Sequence, residues 1–167
     1  MSGYSALRLL EATDVVGTFD SGTPTLDEYL KKRALANQVG DIARCYVTTH
    51  SGSVVGYHTL SAGAILRSEL PKAHRKNTPD VSPVFVIGRL AVDLKHRGQG
   101  LGSGLVRHAI LRSVEGAQLA GIKLLLVHTQ NDQAAAFWRH HGFDPMPENE
   151  YHLVLAMQDA RAALGNI

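Results

Sequence analysis

Cysteine and long apolar runs are scarce in this chain of 167 residues. Cys45 is the only cysteine, so an internal disulfide is excluded and a reducing compartment is favoured. Residues 1–20 lack a basic start followed by an apolar run, and they do not resemble a secretory signal. No apolar stretch is long enough to cross a bilayer. We therefore expect a cytoplasmic protein.

Metal-binding patterns, repeats and low-complexity tracts are also missing. The nine histidines show neither an H-E-x-x-H motif nor a Cys/His ligand spacing, so no metal site is predicted. The apolar fraction of 44% is ordinary for a globular protein. Length and composition predict a single domain over residues 1–167, with no structural assignment for about residues 158–167.

The charge balance is only mildly basic. A formal net charge of +2 and a pI of about 8.8 neither require nor exclude an anionic partner. Positive charge is concentrated in three short clusters, which solvated surface residues would also explain: Lys31-Lys32-Arg33, His74-Arg75-Lys76 and Lys95-His96-Arg97.

Apolar periodicity, broken by glycine and proline, predicts interleaved strands and helices. The predicted strands cover residues 6–10, 42–49, 54–66, 84–92, 124–127 and 151–157, and the predicted helices cover 26–38, 101–117 and 131–141. Thr25 and Glu28 have the spacing of a capping box. Residues 67–83 are predicted to be a loop that can include a helical turn. The order predicts an α/β fold with a mixed sheet flanked by helices.

The segment Arg97-Gly98-Gln99-Gly100-Leu101-Gly102 lies between a buried strand and an amphipathic helix. Glycine lets the backbone turn tightly and point several N–H groups at one place. The N-terminus of the following helix adds partial positive charge. This turn is therefore suited to a pyrophosphate, with Arg97 as an additional charged contact; a purely structural glycine turn is the alternative.

The sequence lacks residues that two common nucleotide-binding motifs require. A dinucleotide fingerprint needs glycine at its sixth position, where counting from Gly98 gives Ser103 and counting from Gly100 gives Leu105. A P-loop needs a Gly-Lys-Ser/Thr ending, which is absent. The motif Arg97-x-x-Gly100-x-Gly102 instead resembles the acyl-CoA pyrophosphate motif of the GNAT superfamily of N-acyltransferases.

A second block strengthens this resemblance. Asn131-x-x-Ala134-x-x-Phe137-Trp138-x-x-x-Gly142-Phe143 is similar to the second cofactor helix of the GNAT superfamily. The resemblance implies acetyl-CoA as co-substrate, with the pantetheine arm held between the fourth and fifth strands. It places the cofactor on the backbone of Leu90, Ala91 and Val92, on the turn and helix start formed by Arg97, Gly98, Gln99, Gly100, Leu101, Gly102 and Ser103, and on Asn131, Ala134 and Phe137.

Other blocks resemble one subfamily along nearly the whole chain. They are Phe19-Asp20-Ser21-Gly22, Leu26-Asp27-Glu28-Tyr29-Leu30, Ala36-Asn37-Gln38, Val55-Gly56-Tyr57-His58-Thr59-Leu60 and Arg75-Lys76-Asn77-Thr78-Pro79-Asp80. This pattern is similar to the acetyltransferase toxins of bacterial toxin–antitoxin pairs. The resemblance implies acetylation of the amino group of aminoacyl-tRNA, a ribbon-helix-helix antitoxin as partner, and a homodimer.

The implied chemistry is direct attack of an amine on the thioester. The backbone N–H of Val92 is the candidate oxyanion donor. Relatives usually place a tyrosine beside the thiol, but this sequence has Trp138 there. Indole N–H donates a hydrogen bond without being a useful acid. Three explanations stay open: Trp138 is a slower replacement, another group such as His128 acts, or this copy is catalytically weak.

The basic clusters gain a function from the same resemblance. We hypothesise that the phosphates of tRNA contact Lys31, Arg33, Arg75, Lys76, Arg89 and Lys95. Arg89 has a competing explanation, since an arginine in a buried strand can pair with an internal carboxylate. Two other functions remain as alternatives: an N-acetyltransferase for a small-molecule or protein amine, and a CoA-binding module without turnover.

Overall fold

The computed structural model describes residues 3–165. In chain order its elements are β1 (Arg8–Leu9), α1 (Pro24–Lys32), α2 (Ala34–Val39), β2 (Arg44–His50), β3 (Ser53–Leu66), β4 (Val81–Val92), α3 (Leu101–Ala120), β5 (Leu124–His128), α4 (Asp132–His140), β6 (Asp144–Pro145), β7 (His152–Ala156) and α5 (Met157–Gly165). Short 3₁₀ turns occupy Arg67–Glu69, Lys72–His74 and Leu94–His96.

The strands are hydrogen-bonded in the order β1-β2-β3-β4-β5-β7-β6. β4 and β5 are parallel, with Val84 opposite Leu124 and Ile87 opposite Val127. The pairs β1–β2, β2–β3, β5–β7 and β6–β7 are antiparallel. The predicted α/β fold, a mixed sheet flanked by helices, is therefore confirmed.

The described residues divide into two compact units. The first unit takes the chain up to Ser61 together with Arg89–Ala109. Its apolar core includes Phe19, Tyr29 and Tyr57, with exposures of 1%, 4% and 0%. The Tyr57 hydroxyl donates to the Leu26 carbonyl at 2.6 Å, which satisfies the polar end of a fully buried ring. α1 is thereby fixed against β3.

The second unit takes Ala62–Gly88 together with the described residues from Ile110 onward. One of its cores includes Leu70, Leu124 and Val154, all at 0% exposure. The segment predicted as a loop is held to this unit by Lys123, whose Nζ donates to the Asn77 carbonyl at 2.7 Å and to Thr78 Oγ1 at 2.8 Å. β4 begins at Val81, so it is longer than predicted.

The first helical region differs from the prediction. A single helix over residues 26–38 was expected, but the backbone breaks at Arg33 (φ −126°, ψ −30°) and divides it into α1 and α2. The capping-box prediction is also wrong. Pro24 occupies the first helical position, which suits its fixed φ and missing N–H, and Thr23 is the N-cap, so Thr25 lies inside the helix.

Two short elements escaped sequence analysis. β6 has only two residues, which is too short for a periodic pattern. α5 covers most of the segment left unassigned, and residues 166–167 lie outside the described part of the chain. The predicted Ser51–Ser53 turn is confirmed between β2 and β3, where Ser51 and Gly52 have φ of 51° and 84°.

Candidate active site

The turn that follows β4 is fixed by a buried carboxylate. Asp93 is 7% exposed, and its two oxygens accept from the Lys95 N–H at 2.9 Å and the Asp20 N–H at 3.0 Å. The Leu94 N–H also donates to the Asp20 carbonyl at 2.8 Å. A carboxylate with two backbone donors holds this turn in one conformation.

Gly98 and Gly100 give the turn its shape. Their φ angles are +78° and +79°, in the region that L side chains rarely adopt. No atom lies within 4 Å of a Cβ built on either residue, so the space beside the backbone is open. α3 begins directly after Gly100, and its first N–H groups have no earlier carbonyl to bond within the helix. Open space, free backbone donors and a helix dipole fit a diphosphate here.

The side chain of Arg97 has a partner within the first unit. Its Nη2 donates to the Ser21 carbonyl at 2.7 Å. Ser21 is itself held by Asp27, whose Oδ1 accepts from the Ser21 hydroxyl at 2.6 Å. Since a guanidinium has five donors, Arg97 can support the turn and still face an anion.

The other predicted cofactor residues of this unit lie on either side of the turn. Ala91 is 5% exposed, while Leu90 and Val92 are half-buried at the end of β4. The amide after Val92, that of Asp93, donates to the Val55 carbonyl at 2.8 Å. Gln99 and Ser103 are exposed, whereas Leu101 is 7% exposed and anchors the first turn of α3. A cavity of about 300 Å³ adjoins that turn, lined in part by Gly100, Gly104 and Thr48.

In the second unit, Asn131 is the N-cap of α4. Its Oδ1 accepts from the Ala134 N–H at 2.9 Å, which satisfies one of the orphan donors of the helix. Asn131, Ala134 and Phe137 are spaced by three residues and share one face of the helix. Asn131 is exposed and the other two are half-buried, so this face stays accessible to a ligand.

Trp138 lies on the buried side of α4. It is 3% exposed, and its ring centroid is 5.0 Å from that of Phe143 and 5.7 Å from that of Phe137. Both contacts have edge-to-face geometry, which aromatic rings favour. Trp138 is therefore a core residue of the second unit in addition to any chemical role.

His128, the last residue of β5, stacks on His152. The ring centroids are 4.1 Å apart and the planes differ by 22°. Partial burial lowers the pKa of His128, and the positive charge of His152 lowers it further. A lowered pKa keeps His128 neutral at pH 7, so it accepts a proton more readily than it donates one. No local pattern marks His152 as a functional residue, because only the β5–β7 register brings it to His128.

Cys45 does not have the environment of a nucleophile. It lies in β2 at 1% exposure, as expected for a buried strand residue. Burial raises the pKa of its thiol to about 12, so thiolate is scarce at neutral pH.

The basic candidates are divided between the two units. Lys31, Arg33 and Lys95 are exposed in the first unit, and Arg75 and Lys76 are exposed in the second. Arg75 Nε donates to the Leu70 carbonyl at 2.9 Å, so this nitrogen of the guanidinium is already hydrogen-bonded within its own segment. The other four ammonium or guanidinium groups extend from exposed positions.

Arg89 has a different environment from the other cations. Its guanidinium carbon lies 3.6 Å from the centroid of the Tyr29 ring, a cation–π contact. Tyr29 in turn stacks on Tyr57 with centroids 6.4 Å apart. The alternative expectation of an internal carboxylate partner is wrong, since no acid within residues 3–165 forms an ion pair with it.

Residues 3–165 contain neither a cluster of metal ligands nor a membrane-spanning helix. No group of three or more His, Cys, Asp or Glu side chains is placed to hold a metal ion. None of the helices in this range combines the length and apolar character that crossing a membrane requires.

The chain is similar to known proteins over most of its length. Residues 41–145 match the family described as "Acetyltransferase (GNAT) domain". A Mycobacterium tuberculosis protein named "tRNA-acetylating toxin" is 48% identical over 166 residues, which is 99% of this chain and all of that protein.

Solved structures give the same picture. AtaT complexed with acetyl-methionyl-tRNAfMet is 29% identical, with a TM-score of 0.88 over 95% of this chain and 98% of that one. An AtaT variant bound to acetyl-CoA and the C-terminus of the antitoxin AtaR is 27% identical, with a TM-score of 0.83 over 98% and 99%. The family model matches more than half of the chain, and a relative is 48% identical over nearly its whole length. This chain therefore belongs to the GNAT acetyltransferases.

Proposed function

We propose that this chain transfers acetyl from acetyl-CoA to the amino group of an aminoacyl-tRNA and thereby acts as a translation-blocking toxin. The observation that carries the proposal is the glycine turn at the start of α3, in a chain 48% identical over nearly its full length to a protein named as a tRNA-acetylating toxin. A charged tRNA capped on its amino group no longer offers the nucleophile that peptide-bond formation needs.

The residues proposed to bind acetyl-CoA belong to the strand end and glycine turn around residues 90–103 and to the helix motif at residues 131–143. Backbone amides from Arg97 to Gly102 bind the diphosphate, helped by Ser103 at the first turn of α3. The backbone of Leu90, Ala91 and Val92 binds the pantetheine arm by strand-like hydrogen bonds. The accessible face of α4, with Asn131, Ala134 and Phe137, contacts the cofactor toward its thiol end.

The chemistry needs little general-base strength. An α-amino group has a reference pKa of about 7.7–8.0, so a sizeable fraction of an aminoacyl ester is already neutral at pH 7. Positioning of this amine against the thioester supplies much of the rate. The Val92 N–H donates to the carbonyl oxygen as negative charge develops there. His128 receives the proton that the amine loses, because its lowered pKa leaves it in the neutral form that can accept one.

The leaving group departs without a strong acid. A thiol of reference pKa about 8.5 is a tolerable leaving group as its thiolate. Trp138 contributes an indole N–H, which can donate a hydrogen bond but does not release its proton. We therefore expect slower turnover than a tyrosine at this position would give.

The substrate's phosphates are the proposed partners of Lys31, Arg33, Arg75, Lys76, Arg89 and Lys95. Most of these cations extend from exposed positions, where they reach an anion at little desolvation cost. Arg89 differs, because its half-buried guanidinium is oriented by the Tyr29 ring. It is the member of the set best placed for a directional contact.

Removing two exposed charges should weaken tRNA binding in a salt-dependent way. For the double variant Lys31→Gln/Arg33→Gln we expect the slope of log affinity against log salt to fall by about 1–2, because each phosphate contact contributes about 0.7–0.9. Filter binding of charged tRNA at several salt concentrations measures it. Arg112→Gln is the matched control, since this exposed arginine of α3 already pairs with Glu115 at 3.0 Å. An unchanged slope in the double variant rules out these two phosphate contacts.

The protein partners of this chain are inferred from those of similar proteins. AtaT is bound to its antitoxin AtaR in one solved structure, so we infer an antitoxin partner for this chain. A ribbon-helix-helix antitoxin, a homodimer and a cytoplasmic location follow from the subfamily resemblance. Light scattering during size-exclusion chromatography tests the dimer directly: a mass near 36 kDa, twice the 18.0 kDa chain, supports it, and a single-chain mass excludes it.

The deciding experiment is transfer of labelled acetyl from acetyl-CoA to a bulk pool of charged tRNA, with Trp138→Tyr in parallel. We expect label on the esterified amino acid with both proteins, and faster transfer with tyrosine. Uncharged tRNA and a free polyamine are the acceptor controls. Label on the polyamine alone would show a small-amine acetyltransferase. Acetyl-CoA binding without transfer by either protein would show a binding module.

A further inference from the structure

The stacked histidines at the ends of β5 and β7 form a pair that the proposed function uses only in part. His128 lies opposite His152 in the antiparallel register, and their rings are nearly parallel at 4.1 Å between centroids. By strand alternation, His128 shares a sheet face with Leu126, and His152 shares it with Val154. Both of those residues belong to the buried core of the second unit, so the pair extends that face beyond the core.

The backbone around the pair is held firmly. Thr129, directly after His128, donates to the Tyr151 carbonyl through its N–H at 2.8 Å and its hydroxyl at 2.6 Å. Tyr151, directly before His152, donates its own hydroxyl to Asp132 at 2.9 Å. These hydrogen bonds join the two strand ends, so the backbone that carries the stacked rings is held in place.

The other charged groups near the two histidines either have partners of their own or are exposed to solvent. On the β4 side the pairing with β5 ends at Ile87 opposite Val127. The next residue of β4 is Gly88, which has no side chain to titrate. On the β6 side Asp144 pairs with His74 at 2.8 Å, and at the start of α4 Asp132 accepts from Tyr151. Glu148 and Glu150 precede β7 at exposed positions. The face-to-face neighbour of His128 is therefore His152.

Two imidazoles at this distance do not both carry a proton easily, because their positive charges repel. The partner that ends β5, His128, is immediately followed by the segment leading to Asn131 and α4, where the acyl end of the co-substrate is proposed to bind. The same stacking that penalises a second charge also fixes the plane of the His128 ring.

We propose that His152 is a positioning residue that holds the His128 ring in the orientation needed to accept the proton of the attacking amine. This inference rests on the proposed acetyl transfer. In the step it serves, the amine nitrogen forms a bond to the acetyl carbon and the carbon–sulfur bond breaks. The thiolate leaves with the electron pair, and the amine proton moves to a ring nitrogen of His128. His152 exchanges no proton in this step; it acts through the ring that it stacks on His128.

Two substitutions separate the charge of His152 from its ring. His152→Phe keeps an aromatic ring over His128 but cannot take up a proton, so we expect the pKa of His128 to rise by about 0.5. His152→Lys places a positive charge beside His128 throughout the titration, so we expect the pKa of His128 to fall below its wild-type value. NMR titration of the histidine rings in the free, folded protein measures both, with the His128 signal assigned by its loss in His128→Gln.

Activity provides the second readout. The ratio of variant to wild-type kcat/KM, followed from about pH 5 to pH 8, cancels the titration of the amine itself. At the acidic end we expect the ratio to fall to about one third for His152→Phe, matching a pKa rise of about 0.5, and to rise for His152→Lys, matching the fall in pKa. His141→Gln is the matched control, since burial also lowers the pKa of that histidine at the end of α4. Its ratio should stay flat.

The NMR titration and the activity ratios test different parts of the proposal. If the His128 titration is the same in both His152 variants, the electrostatic coupling is wrong. If the titration moves while the activity ratios stay flat, His128 does not accept the proton and the positioning role is overturned. The NMR measurement needs no acceptor, so an error in the proposed tRNA substrate would appear only as absent transfer to tRNA by the wild-type protein.

Discussion

Replacing Gly100 with valine is expected to weaken acetyl-CoA binding by roughly 30- to 100-fold, or about 2–3 kcal/mol. Gly100 has a φ of +79°, which a β-branched residue adopts only with strain. The variant relieves that strain by moving the turn, and the amides from Arg97 to Gly102 then no longer converge on the diphosphate. Isothermal titration with acetyl-CoA measures the loss without depending on the acceptor.

The control for this result is Gly52→Val. Gly52 lies in the β2–β3 turn with a φ of +84°, and like Gly100 it has no atom within 4 Å of an added Cβ. Both variants should lose stability through the same backbone strain, but only Gly100→Val should lose affinity. Equal acetyl-CoA binding by Gly100→Val and the wild type would refute the cradle assignment. Equal losses in both variants would show that the effect is general destabilisation.

The second large effect is expected in the core. Trp138→Ala should lower the free energy of unfolding by about 3–5 kcal/mol, because it removes a ring that is 3% exposed and leaves a cavity beside Phe143. Urea denaturation followed by circular dichroism measures this change. Tryptophan fluorescence is unsuitable, since Trp138 is the only tryptophan.

A neighbouring substitution provides the reference for that loss. Arg139→Ala changes the next residue of α4, which is exposed, and should alter the free energy of unfolding by no more than about 0.5 kcal/mol. Trp138→Tyr keeps an aromatic ring and should be only mildly destabilising. This matters for the activity comparison, because a tyrosine variant that remains folded can report on acid catalysis alone. A loss below about 1 kcal/mol in Trp138→Ala would contradict the core role of the ring.

Local chemistry made much of the fold predictable. The apolar spacing from Leu101 onward and the breaker Gly121 defined α3, which the structure extends to Ala120. The apolar run of β5 was recognised as buried, and four of its five residues are. The same expectation for β4 is wrong in part, since within residues 84–92 only Val84, Ile87 and Ala91 are buried and the others are half-buried. The break at Arg33 was not predictable, since Lys31, Lys32 and Arg33 are all acceptable helix residues and no proline or glycine marks it.

The candidate site was predictable to the same extent. The glycine turn and the Asn131 cap are local features: a φ near +79° and a side chain bonded three residues ahead are both encoded within one turn of chain. The ring contact of Arg89 with Tyr29 joins residues 60 positions apart, and no spacing rule connects them. Sequence analysis therefore offered a carboxylate partner for Arg89 where the structure has an aromatic one.

The positions of the glycine turns and of the helix boundaries marked by glycine or proline could be predicted from the sequence, because each depends on the conformational preferences of a few consecutive residues. The packing of Trp138 into the core, the contact of Arg89 with Tyr29 and the stacking of His128 on His152 emerge only from the folded chain. Those contacts depend on strand register and helix packing, where a shift of one residue turns a side chain to the opposite face. The proton-accepting role proposed for His128 depends on such a contact, since a lone imidazole and a stacked pair hold their protons differently.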